Sequence, residues 1–209
     1  MTVAPPLIRN FGRSDCETVW QSMMAFTEDR DAHTRDQFWL TEHDPVYTLG
    51  LNARREHLLD TGDIPLLQID RGGQVTYHGP GQLVLYTLID LDRLGLGVRD
   101  LVTAIERSII ALLADLGIAA EARPEAPGVY VGDAKIAALG LRVRKGRSYH
   151  GLSLNLDMDL TPFSGIDPCG YKGLAVTQLA DLVDDYSLTA VRESLCNHLI
   201  ENLGYEERQ

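Results

Sequence analysis

Apolar residues recur at helical spacing in three segments of the chain. The first covers residues 14–31, and Ser14 and Glu17 at its start match a capping box. The second covers residues 98–116 and has the clearest apolar stripe along one face. The third covers residues 189–203. The pattern therefore predicts three helices of more than one turn, separated by segments of different period.

Short runs with strand character lie between these helices. The first candidates cover residues 37–49, with an interruption at 42–45, then residues 66–70 and 82–90. Residues 129–131 and 135–143 flank the dipeptide Gly132-Asp133, which is typical of strand, tight turn, strand. After a second turn at 144–147, apolar and polar residues alternate over 150–158, which predicts a half-buried strand.

Interspersed helices and strands predict the fold class. We expect an α+β (mixed α/β) fold with a central mixed β-sheet flanked by helices. Thr177 is expected to cap a short helix that continues to Leu182. Because no Pro/Ser-rich linker or charge block divides the 209 residues, we expect a single domain over residues 1–209.

Charge and cysteine content narrow the function classes. The formal net charge of −11 argues against non-specific binding to nucleic acid or anionic membranes. No apolar run approaches the ~18 residues of a membrane span, and the first ten residues do not resemble a secretory signal. Three cysteines without paired spacing fit reduced thiols, so we expect a cytoplasmic protein.

Basic residues are nevertheless concentrated in one segment. Arg142, Arg144, Lys145 and Arg147 fall within six positions of an otherwise acidic chain. One interpretation is a solvated turn, and the other is a docking surface for an acidic partner. The sequence leaves both open.

The segment 71–82 is rich in glycine and holds candidate binding residues. Its glycines either shape turns or let a ligand approach main-chain N–H groups, and the nearby Arg71, Thr76 and His78 favour the ligand. It lacks the Gly-Lys-Ser/Thr of a phosphate loop and the pattern of a dinucleotide site. His78 and His150 have no further ligand at metal-binding spacing, so we expect no metal.

Cys169 and Lys135 are the candidate reactive residues. Cys169 lies between Pro168 and Gly170, a bend where a thiol is more accessible than on an apolar stripe, although an isolated cysteine is more often inert. A nucleophilic thiol must be ionised by a nearby cation or base, and the candidates are Lys135, Lys172, His78 and His150. Lys135 opens an almost wholly apolar strand, where it is either an edge charge in solvent or an amine held against a pocket wall.

Four segments, residues 71–82, 132–141, 148–155 and 167–178, together resemble the lipoyl(octanoyl) transferases. The resemblance implies a fold similar to the biotin and lipoate protein ligases, a catalytic dyad of Cys169 and Lys135, and no cofactor. It also implies a pocket for the acyl and pantetheine groups. The residues it assigns to that pocket are Arg71, Gly72, Gly73, Gln74, Val75, Thr76, Tyr77, His78, Ala138, Leu139, Gly140, Gly151, Leu152 and Ser153.

The resemblance further implies a reaction and its partners. The donor would be octanoyl-acyl carrier protein, and Cys169 would carry the octanoyl group as a thioester. The acceptors would be lysines of the lipoyl domains of 2-oxoacid dehydrogenase complexes and of the glycine cleavage H protein. Backbone N–H groups near Leu139 and Gly140 would stabilise the oxyanion. Separately from the resemblance, the local charge leads us to expect that the basic segment 142–147 steers the acidic carrier protein.

Three alternatives remain open at this point. The first is an ATP-dependent lipoate or biotin ligase of the same fold, which needs no cysteine at position 169. The second is an amidotransferase that moves octanoyl between two proteins. The third is a non-catalytic module that binds lipoyl domains, and the presence of both Cys169 and Lys135 argues against it.

Overall fold

The computed structural model describes residues 3–205, and the side chain of Cys169 lies outside this description. The helices of the described residues are α1 (Cys16–Asp29), the short α2 (Leu91–Leu94), α3 (Val98–Asp115) and α4 (Leu188–Asn202). Their strands are β1 (Leu7–Ser14), β2 (Gln37–His43), β3 (Val46–Leu49), β4 (Leu66–Gln68), β5 (Val75–His78), β6 (Gln82–Leu88), β7 (Glu121–Ala122), β8 (Gly128–Val131), β9 (Ala134–Arg144) and β10 (Arg147–Asn155).

The strands form two sheets. The larger has the order β1-β2-β6-β10-β9-β8-β7, in which β1 is parallel to β2 and the other neighbours are antiparallel. The smaller has the order β4-β3-β5, with β3 parallel to β4 and antiparallel to β5. Both sheets are mixed, so the predicted α+β class with a mixed sheet is confirmed.

Alternation along β6 shows how the large sheet is covered on both faces. Leu83 and Leu85 pack into the main core with α3 and α4. Val84 and Tyr86 point the other way and pack with Val19 and other residues of α1. Because successive side chains of a strand alternate between faces, one apolar strand serves both layers.

The prediction that the strand after the second turn is half-buried is wrong. That strand, β10, begins at Arg147 rather than at residue 150 and ends at Asn155 rather than at 158. Every residue of β10 after Arg147 is buried. The reason is its position between β6 and β9, with helices or loops on both faces. Its alternating polar residues therefore face the interior.

The first helix begins differently from the prediction. Asp15, not Ser14, is its N-cap, and the Asp15 carboxylate accepts a hydrogen bond from the Thr18 N–H at 2.8 Å. Ser14 instead ends β1, an edge strand that the sequence pattern did not predict. The pairing of β1 with β2 shifts between Asn10 and Arg13, and Gly12 lies there with φ +62°. A carboxylate is as good a cap as a hydroxyl, so local preference did not distinguish the two residues.

Two other predictions can be compared directly. The interruption at residues 42–45 is confirmed, because β2 ends at His43 and β3 begins at Val46. The two strands belong to different sheets. The predicted short helix capped by Thr177 is wrong: the segment forms only the 3₁₀ turn Leu179–Asp181, without a side-chain cap. The Thr177 N–H donates to the Lys135 carbonyl at 3.0 Å, which joins this segment to β9.

A buried carboxylate ties the ends of several elements together. Asp36, just before β2, accepts from Arg30 at 2.5 Å and also pairs with Arg93 of α2. The Asp90 N–H donates to Asp36 at 2.9 Å, and the Tyr205 hydroxyl donates at 2.7 Å. Asp36 and the Arg30 side chain are fully buried. Removing this carboxylate would therefore leave Arg30 as an uncompensated charge in the interior.

We predict that Asp36→Ala lowers the free energy of unfolding by about 3–5 kcal/mol, the usual cost of removing one partner of a buried ion pair. Urea unfolding followed by circular dichroism measures this loss. Asp44→Ala is the matched control, because the Asp44–Arg13 pair is exposed on both sides and should contribute about 1 kcal/mol or less. Equal losses in the two variants would contradict the role given to Asp36.

Candidate active site

A cavity lies on the α1 side of the large sheet, under the glycine-rich loop that precedes β5. The space within it, including the part that is open to solvent, is about 510 Å³. The residues that line it are Ile69, Arg71, Gly73, Gln74, Val75, Thr76, His78, Val84, Tyr86, Ala138, Leu139, Gly140, His150, Gly151, Leu152 and Ser153.

Twelve of the fourteen residues predicted for the acyl pocket line this cavity. The two exceptions are Gly72 and Tyr77. The Gly72 N–H donates to the Leu141 carbonyl at 2.9 Å and so joins the loop to β9. Tyr77 packs on the small sheet, with its ring 5.4 Å from that of Tyr47. The structure thus gathers most of the predicted residues in one place.

A second, smaller cavity continues the first toward Lys135. Both are lined by Thr76, Ala138 and Ser153, and the smaller one also reaches Lys135 and Pro168. The backbone of Cys169 belongs to the 3₁₀ turn Pro168–Gly170, directly after Pro168. Because the Cys169 side chain lies outside the described part of the structure, its contact with Lys135 stays a prediction.

Lys135 is enclosed by the segment that leads into β8. Its Nζ donates to the Pro127 carbonyl at 3.1 Å and lies 5.2 Å from the centroid of the Tyr130 ring. The residue is only 4% exposed, so the interpretation of Lys135 as an edge charge in solvent is wrong. A Cβ at Gly128 would lie 2.7 Å from the Ala137 carbonyl oxygen and 2.9 Å from the Lys135 Cε, so glycine lets this segment pack closely against β9 and Lys135.

A carboxylate of α3 lies close to the same ammonium group. Glu106 accepts a hydrogen bond from the Gly128 N–H at 3.0 Å. Burial raises the pKa of Glu106, and the Gly128 hydrogen bond and the charge of Lys135 offset part of that rise. The sequence pattern predicted only that Glu106 lies on a helix. It could not predict this contact, because the partners of Glu106 come from a distant segment.

Arg71 forms the wall of the cavity. Its guanidinium donates to the Thr48 carbonyl at 2.6 Å and to the Gly72 carbonyl at 2.9 Å. A Cβ at Gly140 would lie 2.8 Å from the Arg71 Cδ. The glycine on β9 is therefore what allows the arginine stem to lie flat against the sheet.

Burial keeps His78 a neutral imidazole. Burial lowers the pKa of His78 to about 3, so it carries no charge near neutral pH. Its Nδ1 lies 2.6 Å from the Gln82 Oε1, and the Gln82 Nε2 donates to Asn155 at 2.9 Å. Since that amide orientation makes Oε1 an acceptor, we assign the imidazole proton to Nδ1.

A cluster missed by the sequence analysis surrounds Asp70. Its carboxylate accepts from the Trp20 Nε1–H at 2.8 Å, pairs with the His150 Nε2 at 3.0 Å, and accepts from the Tyr149 hydroxyl. His150 has φ +61°, and its ring stacks on that of its neighbour Tyr149. Both side chains therefore reach Asp70, although residues adjacent in a strand normally face opposite sides.

The hydrogen bonds to Asp70 control its ionisation. Burial alone would raise the pKa of the carboxyl, but the bonds from His150, Tyr149 and Trp20 outweigh burial and hold that pKa well below its usual range. Burial lowers the pKa of His150. Of this cluster, only His150 was a candidate site residue in the sequence analysis, because the members come from three separate segments.

The basic segment 142–147 divides into two parts. Arg142, Arg144 and Lys145 are exposed. Arg147 instead bonds to the Arg30 carbonyl and lies 3.6 Å from the Asp90 carboxylate, so its role is within the fold. Any docking surface here is therefore limited to the first three residues.

Residues 15–200 match the family described as the lipoyl protein ligase A/B catalytic domain. The chain belongs to this family. Among the curated relatives are the octanoyltransferase of Cellvibrio japonicus, 58% identical over 99% of this chain and 97% of that protein, and the octanoyltransferase of Dechloromonas aromatica, 57% identical over 95% and 97%.

Solved structures show the same fold at low sequence identity. A crystal structure of lipoate-protein ligase A bound with ATP superposes with a TM-score of 0.80 at 17% identity, covering 98% of this chain and 88% of that one. Biotin protein ligase from Aquifex aeolicus, in complex with biotin and ATP, superposes with a TM-score of 0.58 at 13% identity, covering 94% and 70%. The expected likeness to the biotin and lipoate ligases is confirmed for the fold.

We predict that Asp70→Asn lowers the free energy of unfolding by about 2 kcal/mol near neutral pH, because three donors lose a charged acceptor. The folded protein holds this pKa below its unfolded value, so the stabilisation exists above about pH 4 and is lost as the pH falls further. Urea unfolding of both proteins across the acidic range should therefore show converging stabilities.

The control for this prediction is Asp159→Asn. Asp159 also has a lowered pKa, caused by Thr161, but it lies fully at the surface. A difference between wild type and Asp70→Asn that stays constant across the acidic range would contradict the assignment of the charge to Asp70.

Proposed function

We propose that this protein transfers an octanoyl group from octanoyl-acyl carrier protein to the acceptor lysine of lipoyl domains, through a thioester on Cys169. The observation that carries the proposal is the pair of joined cavities. They connect Lys135 and the turn that holds Cys169 with an interior lined by Val75, Val84 and Tyr86. Relatives named octanoyltransferase, similar over almost the whole chain, support this choice of acyl group.

The reaction has two balanced steps. In the first, the Cys169 thiolate attacks the thioester carbonyl, a new C–S bond forms, the C–S bond to the carrier breaks, and the Lys135 ammonium gives its proton to the departing carrier thiolate. In the second, the lysine amine of the acceptor attacks the acyl-enzyme, an amide forms, and the Cys169 thiolate is released. The free energy comes from the thioester, so no ATP and no cofactor are required.

Lys135 is proposed to donate a proton in the first step and to accept one in the second. As an ammonium, it favours the thiolate form of Cys169. As an amine, it takes the proton that the attacking lysine must lose. The carbonyl of Pro127 and the ring of Tyr130 hold the cationic form in place, and Glu106 supplies a nearby negative charge.

The backbone of β9 supplies a candidate oxyanion site. The Leu141 carbonyl faces the outer edge of the strand, where it accepts from Gly72. Backbone groups of alternate residues face the same side, so the N–H of Leu139 faces this edge as well. Strand β8 begins at Gly128, opposite Ala138, so its pairing with β9 does not extend to Leu139. We therefore assign the oxyanion contact to Leu139, whereas the Gly140 N–H faces β10.

The partners follow from this chemistry. The donor is proposed to be an acidic acyl carrier protein that meets the exposed cations Arg142, Arg144 and Lys145. The acceptors are proposed to be the lipoyl domains of 2-oxoacid dehydrogenase complexes and of the glycine cleavage H protein. A single domain is proposed to perform both steps in the cytoplasm. Among residues 3–205, no helix is both long and apolar enough to cross a bilayer.

Two other reactions fit the fold. A ligase would activate the free acid with ATP before transfer, and an amidotransferase would take octanoyl from another protein rather than from the carrier. Both are distinguished from the proposed reaction by the donor that supports modification of an apo lipoyl domain.

We predict that wild-type protein gains the mass of one octanoyl group from octanoyl-acyl carrier protein without ATP, and that Cys169→Ala gains none. The adduct should be removed by hydroxylamine, as a thioester is, and by an apo lipoyl domain. Intact-mass spectrometry measures all of these outcomes.

The matched controls are Cys16→Ala and Cys196→Ala. Burial raises the pKa of each of these thiols to about 12, so neither should be acylated and both variants should keep the adduct. If no adduct forms on the wild type but ATP and free octanoate modify the lipoyl domain, the protein is a ligase and the role of Cys169 is wrong.

We predict that Arg142→Glu combined with Arg144→Glu lowers kcat/KM at least about tenfold for octanoyl-acyl carrier protein, because like charges then oppose docking. With octanoyl-pantetheine, which lacks the acidic protein, the rate should be unchanged. Steady-state kinetics with both donors provides the comparison. Arg9→Glu combined with Arg99→Glu carries the same charge change on other exposed positions. Equal losses in both double variants would show that net charge, not this surface, is responsible.

A further inference from the structure

The inner end of the main cavity is closed by buried side chains. Tyr86 and His150 are each at most 6% exposed and lie beyond the row of Ala138 and Ser153, which line both cavities. Gly73 is exposed and Gln74 is partly exposed. A chain attached near Lys135 would therefore extend away from the mouth and toward this group.

The rows of the sheet place Tyr86 at a definite depth. Tyr86 on β6 pairs with Gly151 on β10, and Gly151 pairs with Gly140 on β9. The Lys135 Nζ would lie 3.1 Å from a Cβ at Gly128, which pairs with Ala138. Gly140 lies two residues beyond Ala138, about 7 Å along β9. Because Gly140 and Gly151 add no side chains, Tyr86 is the first large side chain in this row.

Tyr86 is fixed in this position by a histidine behind it. The Nδ1 of His43 lies 2.9 Å from the Ser14 carbonyl, which can only accept, so this nitrogen carries the proton. Burial lowers the pKa of His43, which keeps the ring neutral. Its Nε2 must then accept from the Tyr86 hydroxyl, 2.6 Å away. His43 itself does not line the cavity.

We propose that Tyr86, held by His43, is the stop that sets the length of the acyl chain this protein accepts. The inference rests on the proposed transfer of an acyl group through Cys169. The ring occupies the place that the terminal carbons of a longer chain would need. The hydrogen bond to His43 prevents the ring from turning aside, since a buried tyrosine hydroxyl without its partner would lose an acceptor that water cannot replace.

Two substitutions should weaken the stop in different ways. Tyr86→Leu removes the ring and leaves space for additional methylene groups. His43→Ala leaves the ring in place but removes its acceptor and frees space behind it. The second variant alters no cavity-lining residue, so it tests the hydrogen bond from His43 separately from the ring of Tyr86.

Trp39→Leu is the matched control. Trp39 pairs with Tyr86 in the same row of the sheet and packs on the same face, but it does not line the cavity. It therefore reproduces the loss of a large buried ring without opening the acyl cavity.

The experiment compares octanoyl, decanoyl and dodecanoyl thioesters of pantetheine as donors, with acylation of Cys169 followed by intact-mass spectrometry. For wild type and Trp39→Leu, we expect octanoyl to be preferred over dodecanoyl. For Tyr86→Leu, the ratio of dodecanoyl to octanoyl rates should rise at least about tenfold, the lower end of the discrimination that a single methylene group gives in an apolar pocket. His43→Ala should change the ratio in the same direction by a smaller factor.

The outcomes separate the two proposals. If wild type is acylated and folded Tyr86→Leu keeps the wild-type ratio, Tyr86 is not the stop, although the proposed transfer stands. If Tyr86→Leu does not fold, an unchanged ratio in His43→Ala overturns the inference. If wild type accepts none of the thioesters, the proposed function fails and the inference fails with it. An equal rise in Trp39→Leu would also overturn it.

Discussion

Two central strands of the large sheet meet at glycines, Gly140 on β9 and Gly151 on β10, which lie opposite each other in register. A Cβ at Gly151 would lie 2.1 Å from the Leu85 carbonyl oxygen, and one at Gly140 would meet the stem of Arg71. These two positions therefore let the neighbouring strand and the glycine-rich loop come close to the sheet. The cavity, its wall and its inner end all depend on that approach, because any side chain here would fill the space or push the loop away.

The ionisable groups in this interior differ in charge. His78 and His150 line the cavity and His43 lies behind Tyr86. Burial lowers the pKa of each, so all three act as neutral hydrogen-bonding groups. Lys135, by contrast, is surrounded by a carbonyl, an aromatic ring and a nearby carboxylate. An apolar acyl chain can thus lie beside neutral rings, while positive charge is concentrated where the proposed nucleophile needs it.

Sequence reasoning reached the α+β class, the main helices and most cavity-lining residues, because periodicity and motif order are local properties. It missed Asp70, Tyr86 and Glu106, whose importance comes only from partners brought together by folding. It also misjudged β10 as half-buried, since alternation reports two different environments but not whether one of them is solvent. Polar residues at alternate positions can equally face an internal cavity, as Ser153 does here.

The irregular edge strand β1 has a consequence for how copies of the protein behave at high concentration. Ile8 and Phe11 expose apolar surface on an edge whose backbone groups could pair with another chain. The shift between Asn10 and Arg13, with Gly12 in a left-handed conformation, interrupts the regular spacing of those groups. A strand of another chain could pair with only half of this edge, because the hydrogen-bonding register changes at the shift. This interruption disfavours edge-to-edge growth of the sheet into aggregates.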